Sequence, residues 1–228
     1  MYFSNDLLRE DFPEYKMYVF INLWAPTPEV VKAIEKLKRD GKLLVFCGNA
    51  GLIMDNTIGA GNVAKLTGIN MKQYPAKALT MKINLPGKDQ TVWSSAGKTD
   101  FIIAANDPQA ATYGEIDEQP EIKPFAIKKF NTHTVVHTAV PVLDVSVWQY
   151  LAEMAKIHFY TKDPDTMCYV GKGMLGVHCG TPGEKKIEFP AKADFIDAVT
   201  GEVYARNTRT LKINMKEKET KLIIVKER

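Results

Sequence analysis

Two stretches of the chain, residues 15–23 (YKMYVFINL) and 42–47 (KLLVFC), decide the fold. Both are nearly continuous apolar runs rich in aromatic and β-branched side chains, as expected for buried strands. Between them, Thr27 can cap a helix whose first position is Pro28, because proline lacks the N–H that would have no partner there. Apolar residues then recur at helical spacing until Gly41. The pattern predicts strand, helix, strand, with the two strands parallel.

The middle of the chain predicts further strands and two more helices. A short helix over residues 60–66 is closed by Gly68, and a longer one begins at Asp144 or Ser146. Residues 107–124 are rich in acids, prolines and turn residues, which predicts a surface loop. The remaining predicted strands of this part cover residues 78–85, 90–93, 100–105, 125–130 and 132–140.

After about residue 161 the chain loses its helical patterns. Short strand-like segments alternate with turn signals, which predicts a small antiparallel β domain. These segments are residues 174–178, 185–189, 195–198, 202–205, 211–215 and 221–225. The sequence therefore predicts two domains, residues 1–160 and 161–228. The first is expected to be an α/β, flavodoxin-like three-layer sandwich with a mainly parallel sheet, and the second a small antiparallel β domain.

Composition excludes several classes of protein. The 228 residues carry 30 basic and 27 acidic side chains, a net charge of +3 that predicts no nucleic-acid partner. No apolar run reaches the roughly 20 residues of a membrane helix, and the amino terminus lacks the pattern of a signal peptide. We expect a soluble chain, but the sequence predicts no particular compartment. Three cysteines give neither a disulfide framework nor a zinc pattern, and no motif predicts a cofactor.

Cys47 is the candidate nucleophile, since it follows a buried strand and precedes a glycine. A strained nucleophile elbow needs small residues two positions to either side, and Val45 and Asn49 do not meet that requirement. A reactive thiol also needs a histidine base oriented by a third group, for which His158 and His178 are the candidates. An amidotransferase-like or hydrolytic enzyme that uses these residues is therefore one hypothesis. A buried, inert cysteine is the alternative that we favour.

The loop of residues 48–56 is the candidate ligand site, because ligands bind beyond the carboxyl ends of parallel strands. Its candidate residues are Gly48, Asn49, Asp55 and Asn56. The same residue types are also common in plain turns. The glycines of Gly59-Ala60-Gly61 lack a full phosphate-loop motif, so capping explains them as well.

Other candidate sites have simpler explanations. His133 and His137 lie four residues apart on a predicted strand, about 13 Å from each other at roughly 3.3 Å per residue, which is too far to share a metal ion. Asp163 and Asp165 belong to a segment typical of turns. The tryptophans could stack on sugars, so a carbohydrate-binding module is a further hypothesis. Its candidate residues are Trp24, Trp93 and Trp148, the last of which falls on an apolar helix face.

Taken together, the segments resemble the β-galactosidase trimerisation domain of the class I glutamine amidotransferase-like superfamily. The resemblance starts at Asp6-Leu7-Leu8 and at residues 13–19 (PEYKMYV), and continues through residues 28–41 and 44–51. It includes residues 64–69 (AKLTGI), residues 148–160, His178, Gly183 and residues 187–190 (IEFP). Domains of this kind follow the catalytic barrel in family 42 glycoside hydrolases.

The resemblance implies a non-catalytic module, since the acid and nucleophile carboxylates of such enzymes lie on the barrel. A barrel needs about 200 residues or more of its own, and we expect none here. The implied partners are further copies of the chain, as a homo-oligomer, or a glycosidase barrel. One strand of a flavodoxin-like sheet is expected before Asp6, where only five residues stand. We therefore expect either a piece of a longer protein or a domain with an altered sheet edge.

Overall fold

The chain forms two compact units, Met1–Ile157 and His158–Arg228. The structure is a computed structural model that describes residues 2–75, 80–94, 100–117, 119–140 and 143–227. The sequence predicts the boundary between domains after residue 160. Among the described residues, no helix combines the length and the apolar character needed to cross a membrane.

The first unit contains all three α-helices of the described residues, preceded by a 3₁₀ helix at Ser4–Leu8. The helices are α1 (Pro28–Leu37), α2 (Ala60–Thr67) and α3 (Val145–Met154). Its strands are β1 (Met17–Ile21), β2 (Lys42–Cys47), β3 (Ile53–Met54), β4 (Thr57–Ile58), β5 (Met71–Pro75), β6 (Thr80–Ile83), β7 (Thr91–Ser94), β8 (Phe101–Ala105), β9 (Ala111–Thr112), β10 (Gly114–Ile116), β11 (Phe125–Lys129) and β12 (His133–Thr138). The strands of the second unit are β13 (Thr166–Gly171), β14 (Met174–Cys179), β15 (Gly183–Asp197), β16 (Val203–Met215) and β17 (Thr220–Glu227).

The predicted strand–helix–strand unit is confirmed. β1 and β2 pair in parallel, with Met17 opposite Leu43. The Thr27 side chain accepts a hydrogen bond from the Val30 N–H at 3.4 Å, and Pro28 occupies the first helical position. This cap satisfies one of the N–H groups that a helix start leaves without a partner. Helix α2 ends as predicted at Gly68, whose φ of 73° lies in the left-handed region.

β2 lies inside the central sheet of the first unit, which has the order β1-β2-β12-β11-β9. Each of its six residues is buried. Leu43 and Val45 belong to the core on one face of the sheet, whereas Leu44 and Phe46 belong to the core on the other. Burial on both faces explains why the strand is a continuous apolar run rather than an alternating one. Each such side chain contributes about 1.5–3 kcal/mol of transfer free energy.

The predicted flavodoxin-like sandwich with a mainly parallel sheet is wrong. In the part of the chain that the structure describes, strands hold 46% of the residues and helices only 16%, and its three helices are too few to cover a doubly wound sheet. β1, β2 and β12 run parallel, but β11 and β9 are antiparallel to them. A parallel neighbour needs a long crossover, usually a helix, whereas an antiparallel neighbour needs only a tight turn.

The strands between α2 and β11 pair in the antiparallel direction. They form the pair β5–β8 and the three-stranded sheet β10-β6-β7. The predicted surface loop over residues 107–124 contains the short strands β9 and β10. These strands were missed because two or three residues are too few to show an alternating pattern.

The second unit is an antiparallel sheet with the order β13-β14-β17-β15-β16. β15 and β16 are long strands, each of which joins two segments that the sequence predicts separately. The register between them shifts between Glu188 and Ala193 and again near Phe195, and such irregularities bend a strand. Pro190 lies inside this irregular stretch, where a missing N–H costs least. β13 was not among the strands predicted from the sequence.

Replacing Gly51 tests how tightly α2 packs on the loop after β2. Gly51 has a φ of +77°, and an added Cβ would lie 2.7 Å from Cδ2 of the fully buried Leu66. Gly41 is a matched control, because its φ is +70° but an added Cβ would meet nothing within 4 Å. We expect Gly41→Ala to cost about 1–2 kcal/mol through backbone strain alone. Gly51→Ala should cost a further 1–3 kcal/mol or so through overpacking.

Urea unfolding followed by tryptophan fluorescence measures this difference, since all three tryptophans lie in the first unit. Equal losses for the two variants would contradict the close approach of Gly51 to Leu66.

Candidate functional site

The carboxyl ends of the parallel strands are held together by main-chain hydrogen bonds. The Gly48 N–H donates to the Thr138 carbonyl at 2.7 Å, and the Gly51 N–H donates to the Leu23 carbonyl at 2.7 Å. The loop after β2 is thus tied to the strand ends on both of its sides. The position of this loop agrees with the prediction that it follows a parallel strand.

The candidate ligand residues of this loop have structural roles. Asp55 and Asn56, with φ values of 50° and 57°, form the two-residue turn between β3 and β4. Two left-handed residues in succession are typical of a type I′ hairpin turn. The Asp55 carboxylate also lies 2.9 Å from the ammonium of Lys65. Ligand binding by Gly48, Asn49, Asp55 and Asn56 therefore stays a prediction.

Cys47 is fully buried at the end of β2. Burial raises the pKa of its thiol to about 12, so the thiol stays protonated at pH 7. In the strand register Cys47 lies opposite Thr138, whereas His137 lies opposite Phe46. Because successive side chains leave opposite faces of a sheet, Cys47 and His137 point away from each other. Burial of this kind suits an inert cysteine.

The two histidines that the sequence proposes as bases for Cys47 belong to the second unit. Nε2 of His158 lies 2.8 Å from the Glu188 carbonyl oxygen. Nδ1 of His178 lies 2.8 Å from the hydroxyl of Thr220. Each ring therefore already has a partner in its own unit, and the pairing of either with Cys47 stays a prediction.

His137 is a buried titratable residue. From the sequence it was considered only together with His133, as one of two possible ligands of a metal ion. Its Nε2 lies 3.3 Å from the Gly48 carbonyl oxygen, which can only accept, so Nε2 carries the proton. Among the described residues, its Nδ1 has no hydrogen-bond partner. Burial lowers the pKa of His137 to about 4, so the imidazole is neutral at pH 7. His133, four residues away, instead stacks on Phe130 at 4.5 Å.

No cluster of three or more metal-ligating side chains occurs in the part of the chain that the structure describes. Asp163, which the sequence assigns to a turn, lies 2.9 Å from the ammonium of Lys185 and accepts from the Thr166 hydroxyl. The Lys185 ammonium holds the pKa of the Asp163 carboxyl below its usual range. These contacts indicate a structural role.

The tryptophans differ in their exposure. Trp24, which follows β1, is 47% exposed. Trp148 is half-buried and packs against the core, as its position on the apolar helix face predicts. The side chain of Trp93 lies outside the described part of the chain. Of the two tryptophan side chains that the structure describes, Trp24 is the more exposed, and stacking of a tryptophan on a sugar stays a prediction.

A groove that was not predicted from the sequence runs along β1. Its volume is about 750 Å³. One wall is β1 itself, and the other is the segment of residues 2–15, which supplies Tyr2, Phe3 and Tyr15. The Tyr2 and Tyr15 hydroxyls lie 2.8 Å apart, which joins the two ends of this segment. We call this feature the edge groove. It is an apolar concavity of the size of a binding site.

A second exposed apolar surface lies on the sheet of the second unit. Tyr169 of β13 and Leu222 of β17 flank Gly176 of β14, which is paired with both. Because Gly176 has no side chain, the Tyr169 ring remains 66% exposed. Met167 and Met174 are exposed on the same strands. We call these four side chains around Gly176 the sheet-face patch.

Comparison with known proteins finds similarity in fold alone. No family model matches the chain, and no curated protein matches it by sequence. The β-galactosidase from Bacillus circulans sp. alkalophilus aligns with a TM-score of 0.68 and 16% identity, over 95% of this chain and 34% of that one. Gan42B, a GH42 β-galactosidase from G. stearothermophilus, aligns with a TM-score of 0.59 and 14% identity, over 94% and 32%.

A third solved structure, the β-galactosidase from Rahnella sp. R3, gives a TM-score of 0.61 at 10% identity and covers 91% of this chain and 32% of that one. The chain therefore spans about a third of the length of the structures that it matches. The expected likeness to a part of family 42 β-galactosidases is supported at the level of fold. The assignment to the amidotransferase-like superfamily is not supported by these comparisons.

The buried His137 predicts a specific pH dependence of stability. Its pKa is about 4 in the folded protein and about 6.5 when unfolded, so the unfolded chain binds the extra proton between these values. The contribution of the neutral His137 to the free energy of unfolding is therefore fully present above about pH 6.5. It decreases as the pH falls towards 4, by about 3 kcal/mol in total. His137→Gln, which can still donate to the Gly48 carbonyl, should remove this part of the pH dependence.

Urea unfolding of the wild-type protein and of His137→Gln at several pH values between 4 and 7 measures the effect. A slope that is unchanged in His137→Gln would show that His137 is not the titrating group.

Proposed function

We propose that the chain is a non-catalytic accessory domain of a glycoside hydrolase. It acts by association, either with copies of itself or with a glycosidase catalytic barrel. The observation that carries this proposal is the asymmetry of the fold matches. They cover 91–95% of this chain but only 32–34% of each of the three β-galactosidases described above.

The architecture of the chain supports an accessory role. An eight-stranded catalytic barrel needs about 200 residues or more in alternating strands and helices. Here the residues are divided between a mixed sheet with three helices and an antiparallel sheet. The resemblance stated above puts the catalytic carboxylates of such enzymes on their barrels. The proposal therefore assigns hydrolysis to a barrel and association to this chain.

The state of Cys47 supports the proposal against the amidotransferase-like alternative. A nucleophilic thiol needs a lowered pKa or a base beside it. Burial instead raises the pKa of the Cys47 thiol. The side chain of His137, on the neighbouring strand β12, leaves the sheet on the opposite face. The structural roles of Asp55 and Asn56 in a hairpin turn also favour a scaffold over a reactive loop.

Exposed apolar surfaces support association as the mode of action. The edge groove and the sheet-face patch both expose aromatic side chains, among them Phe3 and Tyr169. Contiguous exposed apolar surface is typical of protein interaction sites. Each unit therefore offers one surface on which a partner can bury apolar area.

Activity measurements on the full chain test the non-catalytic part of the proposal. We expect no hydrolysis of nitrophenyl galactosides or of glutamine above about a thousandth of a typical enzyme turnover of 10 s⁻¹. Cys47→Ser should leave this background unchanged, although it destabilises the core by burying a hydroxyl. Turnover in the wild-type chain that disappears in Cys47→Ser would overturn the proposal in favour of the enzyme.

Binding measurements test the association. Sedimentation velocity reports self-association, and titration against family 42 catalytic barrels that lack their own accessory domains reports barrel binding. We expect at least one of the two at micromolar concentration. A chain that stays monomeric and binds none of these barrels would contradict the proposed mode of action.

A further inference from the structure

A pocket lies at the amino ends of the parallel strands β1 and β2. Residues 14–16 and 40–42 line it at these strand ends, and residues 154–156 line it from the carboxyl end of helix α3. Its volume is about 440 Å³, within the range of small-molecule sites. Three of its lining residues are Lys16, Lys42 and Lys156, and we call it the lysine pocket. None of the sites predicted from the sequence includes these residues.

Lys42 is the buried charge of this pocket. Its side chain is only 6% exposed, and a lysine is almost never buried to this extent unless it is paired. Within the described part of the chain, its ammonium group has two partners, Asp40 at 3.4 Å and Glu14 at 3.5 Å. Bonds between an ammonium group and a carboxylate are normally about 2.7–2.9 Å long. The ammonium group of Lys42 therefore has donor capacity left for a ligand in the pocket.

The other two lysines add exposed donors to the pocket. Nζ of Lys16 donates to the Lys156 carbonyl at 2.8 Å, which uses one of its three N–H groups. The same contact places a positive charge at the carboxyl end of α3, where the helix dipole is negative. The Lys156 ammonium group forms no hydrogen bond or ion pair with the described residues. The pocket thus offers several ammonium N–H groups to a negatively charged ligand.

Two carboxylates in the pocket restrict the kind of anion that fits. Glu14 and Asp40 are 70% and 66% exposed, and Arg39 contacts them at 3.1 Å and 3.3 Å. With Arg39 and the three lysines, four cations stand against these two carboxylates, which leaves a net charge of +2. Among the described residues, Oε2 of Glu14 and Oδ1 of Asp40 accept no hydrogen bond. Both oxygens repel a compact dianion, but they can accept hydrogen bonds from hydroxyl groups.

A ligand that matches both sets of groups carries one carboxylate and several hydroxyl groups. Its carboxylate accepts from the lysine ammonium groups, and its hydroxyl groups donate to the carboxylate oxygens of the pocket. Met154 and Ala155 add apolar lining, against which the C–H groups of a sugar ring can pack. A uronic acid, a sugar whose ring carries a carboxylate, has all of these features.

We infer that the lysine pocket binds a uronic acid residue of an acidic carbohydrate, with the carboxylate of the sugar at the Lys42 ammonium group. The charges and free oxygens of the pocket determine that the ligand is a hydroxylated carboxylate. The choice of a sugar rests on the proposed function, in which the chain accompanies a glycoside hydrolase. The accessory domain then holds an acidic carbohydrate in addition to its protein partner.

Galacturonic acid and its methyl ester are a matched pair of probes, because esterification removes the negative charge of the carboxyl group. Isothermal titration of the full chain at low ionic strength measures both. We expect a Kd in the millimolar range for the acid, since a single sugar offers few atoms for contact. The ester should bind about tenfold more weakly, because it loses the charge-assisted bonds to the ammonium groups. Added salt should weaken binding of the acid by screening these charges.

Lys42→Met removes the buried ammonium group but keeps an unbranched apolar stem, so it tests the carboxylate contact. It should weaken binding of the acid about tenfold and remove most of the difference between acid and ester. Lys172→Met is the matched control, since it makes the same substitution at an exposed lysine between β13 and β14. It should bind both probes like the wild-type protein. Circular dichroism shows whether each variant is folded, and Lys16→Met, at an exposed position, replaces Lys42→Met if that variant fails to fold.

Inorganic phosphate and succinate show whether the pocket selects a sugar or accepts any small anion. Both lack the ring hydroxyl groups, so each should bind about tenfold more weakly than galacturonic acid. The inference is overturned by an acid that does not bind, by equal affinity for acid and ester, by equal affinity for either small anion, or by acid binding that Lys42→Met leaves unchanged. Failure of the proposed function appears separately, as turnover that depends on Cys47 or as a chain that does not associate.

Discussion

The pairing of β2 with β1 on one side and β12 on the other is the contact on which the first unit depends. It places the six residues of β2 between two cores, and every one of them is buried. Because the strand is covered on both faces, helix α1 must pack on one face, and its capped start at Thr27 lets it do so directly after β1. The loop after β2 is then tied by main-chain hydrogen bonds to both neighbouring strand ends.

The same arrangement determines what the carboxyl edge can do chemically. Cys47 ends a strand that has no access to water, so burial raises the pKa of its thiol. His137 is the last residue but one of the neighbouring strand, and burial keeps its imidazole neutral. The two side chains leave opposite faces of the sheet, because the parallel register places them out of phase. The contacts described at this edge stabilise the fold, whereas the edge groove and the sheet-face patch expose apolar and aromatic side chains.

The helix caps were predicted from the sequence, but the architecture around them was wrong. Thr27 and Gly68 were predicted as caps, and Asp144 was one of the two residues predicted to cap α3, because each cap is a local signal that depends on a few neighbouring residues. The mainly parallel sheet was not correct, since the direction of β11 and β9 depends on which strands meet in space. The turn at Asp55 and Asn56 was also ambiguous, as the same residue types serve turns and ligand sites.

By itself, then, the sequence determined the local elements: the strand–helix–strand unit, the helix caps and the strand-rich character of the residues after 161. These follow from the periodicity of apolar residues and from the backbone preferences of threonine, proline and glycine. Only the tertiary structure decided that the central sheet is mixed, that a groove with an aromatic wall runs along β1, and that His137 is fully buried. The physical reason is that strand pairing and burial depend on residues far apart in the chain, whose meeting no local pattern encodes.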